Sequence, residues 1–160
     1  MKNTESRMII ALNNINEVSN IKVDTSEHSE DKILDIGDFD IDGVHFSFFY
    51  SEGKPLIISE LSMAFTYEKV SFKESLQIYQ ALNEFNKKSI AIKASVLKIN
   101  KKEREVTVEF SYGILEDIEL SKSIPLDLQP ALSILSLVPE KVSHELKVKS
   151  VEHDYLDSEF

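Results

Sequence analysis

The chain has 160 residues, of which 42% are hydrophobic and 29% charged, with four glycines, four prolines and no cysteine. Its length predicts one self-sufficient domain over residues 1–150, followed by an acidic C-terminal tail over 151–160. The formal charge of −10 argues against nucleic acid or an anionic membrane as the main partner, since both attract basic surfaces. The absence of cysteine excludes disulfides, thiolate catalysis and cysteine-based zinc sites.

The N-terminal segment favours a helix over an export signal. We predict a helix over residues 4–19 because its apolar residues recur at helical spacing, namely Met8, Ala11, Leu12, Ile15 and Val18. Asn13 and Asn14 interrupt the apolar group, which is shorter than the roughly 7–15 residues of a signal-peptide core. No stretch approaches the roughly 18 apolar residues of a membrane span. A cytoplasmic location is therefore expected.

A polar loop and a strand meander are predicted next. Residues 20–32 are polar and acidic and are expected to form a loop. Strands over 33–39 and 44–50 are joined at Asp42-Gly43, a dipeptide typical of hairpin turns. A third strand follows over 56–65.

The second half begins with an amphipathic helix. Ser71-Phe72-Lys73-Glu74 matches a capping box. An apolar stripe follows it, made of Phe72, Leu76, Tyr79, Leu82 and Phe85. Two strands, over 90–99 and 105–114, then form a hairpin.

The chain ends in a helical region whose stripe consists of Leu128, Leu132, Leu135 and Val138. Beyond Pro139, Val142 and Leu146 are compatible with a further short helix. The resulting order, α-β-β-β-α-β-β-α(α), predicts an α+β fold with an antiparallel sheet packed with helices.

The charges are unevenly distributed. Residues 24–42 contain eight acids and one lysine, whereas residues 87–104 contain seven bases and one acid. One interpretation is two solvated surfaces. The other is two complementary patches that meet within the chain or across a dimer.

No motif indicates an enzyme. Residues 38–43 match the opening of a calcium loop, but the closing carboxylate is missing because that position holds Phe49. The four histidines, at positions 28, 45, 144 and 153, do not follow a zinc-binding spacing. We therefore expect no catalytic residue, no metal and no cofactor.

The predicted central strands are apolar on both faces, which is unusual for an antiparallel sheet with one wet side. Either a helix covers each face, or one face binds a second subunit or an extended client segment. Under the second interpretation the protein-binding residues are Phe46, Phe48, Phe49, Leu61 and Met63.

The order of elements and the segment 71–86, SFKESLQIYQALNEFN, resemble class I type III secretion chaperones and the related YbjN-like domains. The resemblance implies a homodimer that holds a segment of another protein on apolar surface, without catalysis. It also implies a dimer contact through the central helix and the following strand, at Leu76, Tyr79, Leu82, Ile90, Ile92 and Val96.

Two functions stay open from the sequence. The first is a non-catalytic, secretion-chaperone-like binding module whose partner is a protein client. The second is an acidic immunity-type or regulatory protein that neutralises a basic partner by charge complementarity. Substitution of Phe49 or Leu61 is expected to impair the first function, and neutralisation of the acids in residues 24–42 the second.

Overall fold

A computed structural model describes residues 5–70 and 75–158 of the chain. The helices are α1 (Arg7–Asn13), α2 (Ser75–Lys88), α3 (Ile118–Ser121) and α4 (Gln129–Ser158). The strands are β1 (Val18–His28), β2 (Lys32–Ile41), β3 (Val44–Gly53), β4 (Leu56–Tyr67), β5 (Ile92–Asn100) and β6 (Glu105–Asp117). They form one six-stranded sheet in the order β1-β2-β3-β4-β6-β5, which confirms the predicted α+β class.

The N-terminal helix is shorter than predicted. Ser6 is its N-cap, and the Ser6 hydroxyl accepts a hydrogen bond from the backbone N–H of Ile9 at 3.3 Å. The helix ends at Asn13, so Ile15 and Val18 do not belong to it. The predicted helix was too long because Val18, which fits the helical spacing of apolar residues, is in fact the first residue of a strand.

The predicted loop over residues 20–32 was wrong, because most of it is strand β1. This strand lies at one edge of the sheet and pairs with β2 from Val18↔Ile41 to His28↔Ile33, with two irregularities in the register. Nearly all its side chains are exposed. A strand of this kind is held by backbone hydrogen bonds, so its side chains carry no alternating apolar signal.

The predicted meander is confirmed in strands β2, β3 and β4. The β2–β3 ladder closes at Ile41↔Val44, and Asp42 and Gly43 both have positive φ, 49° and 80°. That pair of left-handed residues is what a two-residue hairpin of the I′ type requires. The register of β3 with β4 runs from Phe46↔Met63 to Gly53↔Leu56.

The chain divides into two compact units, residues 1–63 with 112–133 and residues 64–111 with 134–160. The first unit has a core that includes Met8, Leu12, Phe39, Phe46, Phe48, Tyr50, Ile57, Leu61 and Leu128. The core of the second unit includes Tyr67, Ile78, Leu82, Phe85, Val106, Val108, Phe110, Leu135 and Val142. A single domain over residues 1–150 with an acidic tail over 151–160 stays a prediction.

Helix α4 is continuous through Pro139 instead of being followed by a separate short helix. Proline removes one helical N–H, which deprives the carbonyl one turn earlier of its partner. The Tyr67 hydroxyl donates a hydrogen bond to the Pro139 carbonyl at 2.6 Å, and burial raises the pKa of that phenol.

The predicted capping box at residues 71–74 lies outside the described residues. No helix in the described ranges is both long enough and apolar enough to cross a membrane.

We expect Gly37→Ala to destabilise the protein by about 2 kcal/mol or more, the cost of overpacking a closed site. A methyl group at Gly37 would collide with the Lys22 carbonyl oxygen and lie 2.8 Å from Cζ of Phe48. Urea denaturation measures the loss. Gly113→Ala is the matched control, because a methyl group there meets nothing within 4 Å. Equal stability of the two variants would contradict the tight approach of β1 to β2.

Candidate functional site

The side chain of Asp35 is a buried carboxylate on the core face of β2, in a residue that is 2% exposed. Its Oδ1 accepts a hydrogen bond from the Ser26 hydroxyl at 2.7 Å and lies 2.9 Å from Nε2 of His28. Burial by itself would raise the pKa of Asp35. Hydrogen bonds from Ser6, Ser26 and His28 outweigh that effect and lower the pKa below its ordinary value of 3.8.

Serine, histidine and aspartate therefore meet in this cluster, but not in a catalytic order. In a nucleophilic triad the histidine contacts the serine, and the aspartate orients the histidine. Here Asp35 lies between the other two, and Ser26 and His28 both bond to the same oxygen. In this geometry Ser26 bonds to a carboxylate whose lowered pKa makes it a weak base, and not to a histidine. The cluster instead joins β1 and the N-cap of α1 to β2, which is a structural role.

A second polar cluster forms around Arg7. The Arg7 guanidinium bonds to both carboxylate oxygens of Glu116, at 3.1 and 3.3 Å, and its Nε donates to the Ile124 carbonyl at 2.7 Å. These bonds attach α1 to β6 and to the loop before α4. A cleft of about 410 Å³ lies between α1 and residues 122–129, with Ile10 and Ile124 exposed at its rim. Arg7 lines this cleft, and its guanidinium is bonded to Glu116 and Ile124.

The acidic run that resembled a calcium loop has other partners. Oδ1 of Asp40 lies 2.8 Å from Nδ1 of His45, and Oδ2 accepts a hydrogen bond from the Asn20 side chain at 2.9 Å. The hydrogen bonds from Asn20 and His45 lower the pKa of Asp40. Within the described ranges, no group of three or more histidine, aspartate or glutamate side chains is arranged to hold a metal ion.

Four of the five predicted protein-binding residues lie in the core of the first unit. The exposed fractions of Phe46, Phe48, Leu61 and Met63 are 4%, 2%, 1% and 7%. Phe49 lies on the opposite face of β3 and is half-buried. Both faces of β3 carry aromatic residues, so the sequence alone did not indicate which of the two faces would pack into the core. Of these five residues, Phe49 is the one that remains accessible to a partner.

The opposite face of the sheet in this unit, here called the open face, carries further apolar residues. The pairings Ile36↔Phe49 and Leu34↔Ser51↔Ile58 place them in adjacent rows. Leu34, Ile36 and Phe49 are half-buried, whereas Leu56 and Ile58 are 39% and 41% exposed. An apolar area continues across three strands.

Strand β6 extends the open face. The N–H of Ile118 donates to the Pro55 carbonyl at 2.9 Å, and counting inwards along the antiparallel pair places Leu115 opposite Ile58. Leu115 is 67% exposed. The same count places Gly113 opposite Glu60, and a Cβ atom at Gly113 would meet nothing within 4 Å. The open face thus combines adjacent exposed apolar side chains with a bare stretch of backbone.

The residues predicted for a dimer contact lie in the second unit. Leu82 and Ile92 are buried there, Val96 is half-buried, and Tyr79 and Ile90 are 53% and 98% exposed. The side chain of Leu76 is outside the described part of the structure. A groove of about 540 Å³ lies between α2 and β5 and is lined by Tyr79, Leu82 and Val96, among others. A homodimer through this groove stays a prediction.

Comparison with known proteins finds no matching family profile, no matching curated protein and no matching solved structure. The resemblance to secretion chaperones therefore stays an interpretation of the sequence.

We expect Asp35→Asn to lower the free energy of unfolding by about 1–3 kcal/mol, because a charged acceptor of several buried hydrogen bonds is lost. The wild-type carboxylate has a lowered pKa in the folded state. It therefore stabilises the fold above the ordinary value of 3.8, and this stabilisation disappears as the pH falls through the folded-state pKa.

Urea denaturation between pH 7 and pH 2 measures both effects. The Asp35→Asn variant is expected to lose part of the wild-type decline in stability below about pH 4. Ser26→Ala removes only one donor and serves as the graded control. An unchanged pH profile in Asp35→Asn would contradict the role assigned to this cluster.

Proposed function

We propose that the chain is a non-catalytic protein-binding module that holds an extended segment of a partner protein on the open face. The observation that supports this most directly is the juxtaposition of two exposed apolar side chains, Ile58 and Leu115, on the face that also carries Phe49. Exposed apolar patches on folded proteins mark interaction surfaces more often than isolated apolar residues do. A secretion-chaperone-like role is the form of this proposal that the family resemblance favours.

The size of the interaction fits reversible binding. Burying an apolar patch of about 300 Å², a size typical of folded monomers, contributes about 7.5 kcal/mol before the cost of ordering the segment is subtracted. That cost is several kcal/mol for an extended chain, so the affinity expected from this face alone is modest. A segment that is held and later released needs an affinity of this kind.

The charges around the open face define the partner further. Glu27 lies opposite Leu34, Asp38 belongs to the same face of β2, and Glu60 lies opposite Phe49. Lys22, opposite Asp38, is a basic residue in these rows. An extended segment that carries both apolar and basic side chains fits this surface best, because its cations would lie near the acids while its apolar residues cover Ile58 and Leu115.

The alternative is neutralisation of a basic partner by charge alone. It is favoured by the exposed acids of the first hairpin, Asp24, Glu27, Glu30 and Asp31. In this alternative the apolar residues of the open face are not required. Cytoplasmic location and a homodimeric state belong to the proposal and are open to measurement.

We expect a 12-residue peptide of alternating valine and lysine to bind the full chain, and a serine–lysine peptide of equal charge to bind at least tenfold more weakly, a difference of about 1.4 kcal/mol. Leu115→Asp is expected to weaken valine–lysine binding by a similar factor, because it buries a carboxylate beneath apolar side chains. Fluorescence anisotropy with a labelled peptide measures both effects.

Two further variants sharpen this test. Gly113→Arg adds bulk to the open face at a position where a Cβ atom meets nothing within 4 Å, so it is expected to block binding while leaving the urea midpoint unchanged. Leu120→Asp is the matched control, because Leu120 is 74% exposed but lies on α3. Equal binding of the two peptides, or equal loss with Leu115→Asp and Leu120→Asp, would reject the open face and favour neutralisation by charge.

A further inference from the structure

Strand β5 is the second edge of the sheet, and part of its outer side is already occupied. The side chain of Asn86, on α2, donates from Nδ2 to the Ala94 carbonyl at 2.9 Å and accepts from the Ala94 N–H at 2.8 Å. One amide side chain thereby makes the pair of hydrogen bonds that a neighbouring strand would make. Asn86 closes the edge of β5 at this single residue.

The Asn86 contact also fixes which other backbone groups point outwards. In a strand, alternate residues direct their N–H and C=O groups to the same side. Because Ala94 points away from β6, Val96 and Lys98 do so as well. The outer side of β5 thus offers backbone donors and acceptors at Val96 and Lys98, directly after Ala94, whose backbone is bonded to Asn86.

The space beside this row is the groove between α2 and β5, with a volume of about 540 Å³. Tyr79, Leu82 and Val96 provide an apolar lining, and Tyr79 is 53% exposed. An added strand lies about 4.8 Å from its neighbour and directs alternate side chains to one face. One apolar side chain of such a strand would enter the groove while its backbone pairs with Val96 and Lys98.

The charges decide between a second copy and another partner. Lys93 and Lys98 are exposed on β5, Lys88 is exposed at the end of α2, and Lys101 and Lys102 are exposed in the following turn. Lys87 is paired with Glu84 at 3.6 Å, and Glu103 is an acid in the turn. Pairing β5 with its own copy would bring like charges together, which is unfavourable, and lysines on edge strands discourage self-association.

We propose that the outer edge of β5 binds an extended acidic segment of a partner protein by strand addition at Val96 and Lys98. The backbone hydrogen bonds supply the pairing, the groove accepts one apolar side chain, and the lysines select acidic neighbours in the segment. Asn86 sets the end of the added strand. This surface belongs to the second unit and does not depend on the function proposed for the open face. It replaces the homodimer contact that the family resemblance implies for α2 and β5.

The experiment uses the full chain and an eight-residue acetylated peptide of alternating glutamate and valine. The peptide is expected to bind in fluorescence anisotropy, more weakly at 300 mM than at 50 mM salt. Amide hydrogen exchange is expected to slow at Val96 and Lys98. Ala94, already bonded to Asn86, is the internal reference. N-methylation of the peptide amides that face β5 is expected to abolish binding, whereas N-methylation of the alternate amides is not.

A pair of double variants tests the charge selection. Lys93→Gln with Lys98→Gln is expected to weaken binding about fivefold, whereas Lys32→Gln with Lys54→Gln, on exposed positions of the first unit, leaves it unchanged. Equal effects of the two double variants, or unchanged exchange at Val96 and Lys98 in the complex, would overturn the proposal. So would a dimer of the free chain that protects these two amides, because a second copy would then occupy the edge.

Discussion

The stacked rings of Phe39 and Phe46, with centroids 5.3 Å apart, help to hold β2 and β3 in the register on which both faces of the first unit depend. A strand directs successive side chains to opposite faces, so a slip of one residue would exchange the core set for the open set. With Phe46 and Phe48 directed into the core, Phe49 and Ile36 must face the other way. The packing of the core face therefore determines which residues lie on the open face.

Two polar clusters, one buried and one partly buried, fix the elements that cover this core. Asp35 bonds to Ser26 and His28, and Arg7 bonds to Glu116, so each cluster ties the sheet to a neighbouring segment. Buried charges of this kind are costly when a partner is removed, which makes them specify one arrangement more than they add stability. Their donors and acceptors are largely engaged by one another. Function is therefore better sought on the surfaces that they hold in place.

The two edges of the sheet differ in chemistry. Strand β1 is mostly polar and carries two acids, Asp24 and Glu27, whereas β5 carries Lys93 and Lys98 and its Ala94 backbone is bonded to Asn86. Exposed edges are hazardous because their free backbone groups can pair with other chains, and charge is one means of restricting which chains can pair. Charge on an edge thus discourages self-association and selects a partner of opposite sign by the same electrostatic interaction.

The sequence by itself determined the α+β class, the meander, the Asp42-Gly43 turn and the central helix, because apolar period and turn chemistry are local properties. It did not reveal β1, since an exposed edge strand is held by backbone bonds to which its side chains contribute no pattern. Nor could it decide which aromatic face of β3 was buried, because Phe48 and Phe49 are equivalent until helices cover one side. The tertiary structure alone placed Leu115 opposite Ile58, because that contact depends on pairing between strands far apart in sequence. It also placed the Asn86 side chain on the Ala94 backbone, because that contact depends on how α2 turns back onto β5.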